Sequence, residues 1–173
     1  MQYNVSQFLR SPVGETRHFP VEGDISGVDD RRQRTAVTGS VELLRTNQGV
    51  LARVVAGLHS IEECSRCLAL FEHPLTITFE EVFYPTIDPV SGFPLPLPPE
   101  DDPFLIDHNH LLDLSDAIRE YAVMARPIQP LCHAECAGLC PTCGVNRNET
   151  ACRCADAPVD PRWAALWQLH LQE

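Results

Sequence analysis

The sequence predicts an α+β fold: an antiparallel β-rich sheet or small barrel, a mid-chain helix, and a cysteine-rich C-terminal segment ending in a second helix. Three observations carry that expectation. Runs rich in β-branched and aromatic residues, bounded by turn residues, fill positions 36–83. Apolar residues at helical spacing follow Asp113. Six of the eight cysteines fall between positions 132 and 154. No βαβ spacing appears, which argues against a doubly wound sheet.

Tyr3 to Leu9 fits a short strand or the start of a strand–helix pair, and Ser11-Pro12-Val13-Gly14 turns the chain. Phe19-Pro20-Val21 fits a second short strand. An exposed polar loop is expected over residues 22–34, with Gly23, Gly27, Asp29 and Asp30. From Ala36 to Leu44, Val37, Val41 and Leu43 fall at even spacing, as on one face of a strand. Asn47-Gln48-Gly49 turns into the apolar run Val50 to Leu58, with Ile61 beyond; Leu75, Ile77, Phe79 and Phe83 mark the next strand. Prolines 85, 89, 94, 96, 98, 99 and 103 cannot sit inside regular elements, so residues 85–110 read as a proline-rich excursion. Phe93, Leu95 and Leu97 could pack from it onto the sheet. Asp113 can cap a helix over 113–125, where Leu114, Ala117, Ile118, Tyr121 and Ala122 repeat, and Pro127 ends it. A last helix starts near Asp160, with Pro161 in its first turn and Trp163, Leu166, Trp167 and His170 on one face. The expected organisation is a β-rich domain over 1–127 and a cysteine-rich segment with its helix over 128–173.

The formal net charge is -11, and every basic side chain of the Lys/Arg type is Arg. That balance argues against broad contact with phosphate backbones, which needs clustered positive charge. The acid is concentrated: residues 58–113 hold eleven acidic residues and one Arg, whereas residues 1–57 hold seven Arg against six acids. Any local RNA contact is therefore expected around Arg31, Arg32 and Arg34. Adjacent acids such as Glu62-Glu63 and Glu80-Glu81 read as sheet-edge or surface charge. No signal-peptide pattern and no apolar run long enough for a bilayer appears, so a soluble cytoplasmic protein is expected.

The eight cysteines fall in three groups. Cys140-Pro141-Thr142-Cys143-Gly144 is the sharpest: two thiolates separated by two residues can hold one ion from a tight turn, and Gly144 lets the backbone bend back. A closed structural zinc site needs four ligands. The other two come from Cys132 with Cys136, from Cys152 with Cys154, or one from each; the spacing leaves this open, as it leaves open His133 as a ligand and an iron–sulfur cluster in place of zinc. Absence of an export pattern argues against disulfides. Cys64 and Cys67 are a further pair within the β region. It could be a redox dithiol with Arg66 lowering a thiol pKa, part of a metal site across the fold, or two buried small residues.

Catalytic patterns are missing. There is no His-Glu-x-x-His, no correctly paired His-x-Glu with Pro-Cys-x-x-Cys, no glycine-rich phosphate loop and no Gly-x-Ser-x-Gly. No enzyme activity, membrane association or small-molecule substrate is expected.

Taken together, several strings resemble the YceD family, the large ribosomal RNA subunit accumulation proteins of bacteria and plastids. They are Val5-Ser6-Gln7-Phe8-Leu9 with Pro12 and Gly14; Cys64-Ser65-Arg66-Cys67-Leu68; and Asp113-Leu114 with Ile118, Glu120 and Pro127. The tail adds Leu131-Cys132, Gly138-Leu139-Cys140-Pro141-Thr142-Cys143-Gly144 with Asn146 and Asn148, and Asp160-Pro161-Arg162-Trp163-Ala164-Ala165-Leu166. Met124-Ala125-Arg126-Pro127 departs from the family's more usual Leu-x-Leu-Pro, a difference expected to bear on packing alone. The resemblance implies a role in accumulation of large-subunit ribosomal RNA, hence in its synthesis, stability or assembly into the subunit, and the first reading is a non-enzymatic assembly factor that binds precursor RNA, a basic ribosomal protein or another factor. It implies no catalytic residue. Two other readings stand beside it: a zinc- or dithiol-dependent enzyme acting on RNA or protein, and a structural adaptor that docks through Trp163 or Trp167.

Overall fold

The computed structural model describes residues 1–29, 31, 34–96, 98, 99, 101–154 and 162. Arg32, Leu97 and the expected last helix with its two tryptophans lie outside the described residues. Two compact units divide the chain: Met1–Glu62 with Leu70–Ile128, and Glu63–Ala69 with Gln129–Glu173.

The first unit is built on a sheet of seven strands: β1 (Gln2–Asn4), β2 (Thr16–Ile25), β3 (Thr35–Arg45), β4 (Val50–Glu63), β5 (Leu70–Pro85), β6 (Leu105–Ile106) and β7 (Leu111–Asp113). Their spatial order is β1-β7-β6-β5-β4-β3-β2. Strand parity explains the core. Along β4, Val50, Ala52, Val54, Ala56, Leu58, Ser60 and Glu62 are all buried, and each residue between them is exposed or half-buried. Val37, Val41 and Leu43 of β3 and Leu75, Ile77, Phe79 and Phe83 of β5 continue the same inner face. The outer face carries polar ladders instead, such as Arg53 between Glu42 at 3.1 Å and Glu80 at 3.1 Å.

One helix, α1 (Ser115–Met124), covers the inner face and buries Ala117, Ile118 and Ala122. Tyr121 stacks on Phe79 with ring centroids 4.3 Å apart. Asp113 caps from just outside the helix: its carboxylate accepts the Ser115 N–H at 2.9 Å. The sheet curls until its edge strands come within side-chain reach. The Tyr3 ring lies 5.4 Å from Phe19, and the Tyr3 hydroxyl donates to the Pro20 carbonyl at 2.8 Å. Pro20 has no N–H, so the middle of the β2 edge cannot continue the ladder there.

Several expectations need correction. The sheet is mixed, because β6 runs parallel to β5, and the described residues are mostly β, so the α+β label fits only in part. The second strand is ten residues long, since Phe19 and Val21 lie on one face of a continuous ladder with β3. Its loop is not uniformly exposed: Val28 and Asp29 are buried, and the Asp29 carboxylate accepts the Ile61 N–H at 2.9 Å, pinning the loop to β4. The proline-rich excursion also contains regular structure, with a bridge between Ile87 and Pro94 and the whole of β6.

Glu62 is not surface charge. It is 4% exposed, and its carboxylate accepts two bonds from Arg126, at 2.8 Å from Nε and 3.1 Å from Nη2. The Ser60 hydroxyl donates a third at 2.8 Å. The departure at Arg126 therefore supplies the partner for a buried carboxylate, which is more than packing.

Candidate metal centres

All eight cysteines are free thiols, and they gather into two groups of four within the second unit. Cys64, Cys67, Cys132 and Cys136 form one; Cys140, Cys143, Cys152 and Cys154 form the other, with the sulfurs of each group all within 4.8 Å of one another.

The two groups start from the same local structure. In Cys64-Ser65-Arg66-Cys67-Leu68-Ala69, the Cys64 N–H donates to the Ala69 carbonyl and the Leu68 N–H to the Cys64 carbonyl. In Cys140-Pro141-Thr142-Cys143-Gly144-Val145, the Cys140 N–H donates to Val145 and the Gly144 N–H to Cys140. The fifth position is left-handed in both, Leu68 at φ 59° and Gly144 at φ 73°. That bend places two sulfurs on one side of a turn and aims backbone N–H groups at the first. The β4–β5 connection and the tail thus carry two copies of one knuckle that could hold a metal ion.

Each knuckle is completed by a second pair. Cys136 Sγ lies 3.8 Å from Cys64 Sγ, and Cys132 Sγ lies 3.6 Å from Cys67 Sγ. Cys152 Sγ lies 3.3 Å from Cys140 Sγ and 3.6 Å from Cys143 Sγ. A tetrahedron with Zn–S bonds of about 2.3 Å has sulfur–sulfur edges of about 3.8 Å. A disulfide would need about 2.05 Å. The donor sets fit a soft four-coordinate ion, and each group could hold one.

The thiol acidities show what each site does before an ion binds. Cys64 is drawn down to about 6, first by the Cys132 N–H and then, against burial, by those of Cys67 and Arg66. Cys140 is drawn down to about 6 by the N–H groups of Cys143 and Thr142. Burial and the thiols of Cys136, Cys64 and Cys67 push Cys132 up to about 12. The Cys152 and Cys143 thiols push Cys154 up to about 12. In the first group Cys136 is also drawn below its ordinary value, against burial, by the Asn148 amide and the Gly138 N–H, while Cys67 is raised; in the second group Cys152 is raised. A bound cation would displace the remaining protons.

Neighbours brace the first site. The Arg66 guanidinium, expected to acidify a thiol, donates instead to the carbonyls of Cys136 at 3.0 Å and Ala134 at 3.5 Å; its backbone N–H is the part that helps Cys64. Gly138, at φ 71°, packs so closely that a Cβ would sit 3.1 Å from the Arg66 carbonyl oxygen. Asn148, missed as a functional residue by sequence reasoning, donates its side-chain amide to Cys136 Sγ at 3.3 Å and accepts the Ala137 N–H at 2.7 Å. Nothing in its spacing marks that role. His133 Nδ1 lies 3.2 Å from Cys132 Sγ on an exposed ring, beside the group and outside the four. Arg31 and Arg34 are both exposed and belong to the other unit.

A family model described as large ribosomal RNA subunit accumulation protein YceD matches residues 58–170. The match covers both knuckles and both completing pairs. The chain belongs to the YceD family. The role that the family's name states is large-subunit ribosomal RNA accumulation. Among similar proteins are ones described as uncharacterized from Mycobacterium bovis and Mycobacterium tuberculosis. They are 29% identical over 127 residues, covering 71% of this chain and 56% of theirs. The matched stretch thus spans little more than half of those relatives. No solved structure matches the chain. No helix among the described residues is long and apolar enough to cross a membrane.

Proposed function

We propose that this YceD-family chain is a non-enzymatic factor supporting accumulation of large-subunit ribosomal RNA and ribosome assembly, and that both cysteine groups hold structural zinc. Membership of the family carries the first half. The second rests on two sets of four thiols whose sulfurs all lie within 4.8 Å of one another: four protein ligands leave no open position for substrate or water, which favours a staple over a catalytic metal. Zinc suits tetrahedral sulfur without redox chemistry.

The partner we favour is a cationic protein of the ribosome or its assembly rather than bare RNA. A groove lined by Glu80, Glu81, Asp101 and Asp102 opens on the first unit, and the net charge of -11 opposes phosphate. Affinity capture from cells tests this, with and without RNase, alongside the ratio of large- to small-subunit RNA after depletion. Capture of large-subunit proteins that survives RNase, with a fallen ratio, is the expected result. An unchanged ratio would remove the accumulation role. Capture abolished by RNase would move the contact to RNA.

A further inference from the structure

The two knuckles share a backbone but not an environment. In the first group Cys64 is 0%, Cys136 3% and Cys67 6% exposed, and Cys132 is half-buried. In the second only Cys140 is buried; Cys152 is half-buried, and Cys143 and Cys154 are exposed. Their ligands also differ in origin. Cys64 and Cys67 meet partners 72 and 65 residues away in sequence, respectively. That closure is held by the Ser65 N–H on Pro130, the Leu139 N–H on Arg66 and the Arg66 guanidinium on two carbonyls. All four ligands of the second group lie between positions 140 and 154. Its second pair is separated by one residue, with the Cys154 N–H donating to Cys152 Sγ at 3.3 Å.

Ligand exchange at a closed thiolate site needs an incoming donor to approach while one thiolate leaves. Burial blocks the approach, and long-range closure resists the departure. Cys143 and Cys154 are open to both. We infer that the two groups are unequal metal sites: the Cys64–Cys67–Cys132–Cys136 group keeps its ion, and the Cys140–Cys143–Cys152–Cys154 group is an exchange site for a soft divalent ion. This rests on the reading that each group binds metal. In the exchange, donors of a competing ligand replace the thiolates one at a time, the freed thiolates take up protons, and no electrons move. The second site then trades its ion with thiol-rich or chelating acceptors while the first holds the tail to the β4–β5 connection.

The test uses the full chain loaded with zinc. Bound zinc is counted by mass spectrometry, and release to excess EDTA is followed with time. Quenched samples are alkylated with iodoacetamide and mapped by peptide. The expected result is two equivalents of zinc leaving in two phases of equal amplitude, at least about tenfold apart in rate. Cys143 and Cys154 are alkylated with the fast phase, Cys64 and Cys67 only with the slow one. Cys154→Ser should accelerate or abolish the fast phase and leave the slow equivalent in place. Two equivalents leaving in a single phase, or Cys64 and Cys67 alkylated first, would overturn the inequality while leaving the metal reading intact. Fewer than two equivalents after loading would overturn the metal reading, and the inference with it. The wild-type mapping decides the matter even where a variant misfolds.

Discussion

Removing Arg126 tests how the first unit holds its only buried glutamate among the described residues. In Arg126→Ala the Glu62 carboxylate, 4% exposed, loses both guanidinium bonds and keeps the Ser60 hydroxyl as a donor. The Val28 carbonyl also loses the Arg126 Nη1 donor at 3.3 Å. Breaking a fully buried pair from one side costs roughly 3–5 kcal/mol. The Arg126 side chain is 31% exposed, so water can replace part of what it gave, and the expected cost is about 2–3 kcal/mol. For a chain of this size that is a fall in Tm of roughly 5–10 °C. The pH dependence gives the sharper check. Arg126 first, with Ser60 and against burial, holds the Glu62 carboxyl below its ordinary value of 4.5. Its contribution is complete above that value and is lost as pH falls through the lower folded one. In the variant burial dominates and raises the folded value, so protonation relieves the unpaired charge. The gap between wild type and variant should therefore be widest near neutrality and narrow below about pH 4.5. Urea unfolding followed by circular dichroism measures it, with Arg126→Ala/Glu62→Gln as the paired control that should recover part of the loss. A variant within about 0.5 kcal/mol of wild type at neutral pH, or a gap that widens in acid, would refute the reasoning.

Three more outcomes follow from backbone and side-chain geometry. Gly144→Ala, at φ 73°, should cost about 1 kcal/mol in the tail, whereas Leu68→Gly should fall within about 0.5 kcal/mol of wild type, because the relief of its left-handed backbone offsets the freedom gained on unfolding; zinc retention and chemical unfolding read both. Gly49→Ala would place a Cβ 2.2 Å from the Phe83 carbonyl oxygen and should lower the urea midpoint by the equivalent of about 3 kcal/mol. Asn148→Ala removes the amide on Cys136 Sγ and should weaken zinc at the first site by about 10–100-fold in competition with a chelator, with the second site unchanged.

Strand parity made most of the sheet legible. The even positions from Val50 to Leu58 announce a face, and carrying the same count to Ser60 and Glu62 would have placed both inside. Composition hid this, because two adjacent glutamates read as surface charge until a partner 64 residues later is brought to them. The parallel β6 was illegible for another reason: two residues between prolines and a polar loop carry no period. The cysteines divide in the same way. Cys140-Pro-Thr-Cys-Gly is readable because a knuckle is local. Its equivalence to Cys64-Ser-Arg-Cys-Leu is masked by Leu68, which occupies the left-handed position where glycine would have signalled the turn. Which pair completes which knuckle is a property of chain closure, and spacing is silent about it.

That closure bears on what the molecule can touch. Four thiolates around a divalent ion carry two net negative charges, so the formal charge, -11 with every thiol protonated, is about -15 with both groups loaded, and Cys64 and Cys140, drawn down to about 6, already supply part of that difference at neutral pH. The Arg66 guanidinium, within the first knuckle, donates to backbone carbonyls. Arg31 and Arg34 lie in the other unit. Metal loading therefore makes the chain a poorer ligand for phosphate and a better one for a basic protein surface. If RNA were the direct partner, stripping the zinc should strengthen binding at low salt as the thiols reprotonate. A cationic protein partner should instead be held more weakly by the stripped chain. The sign of that change separates the two contacts.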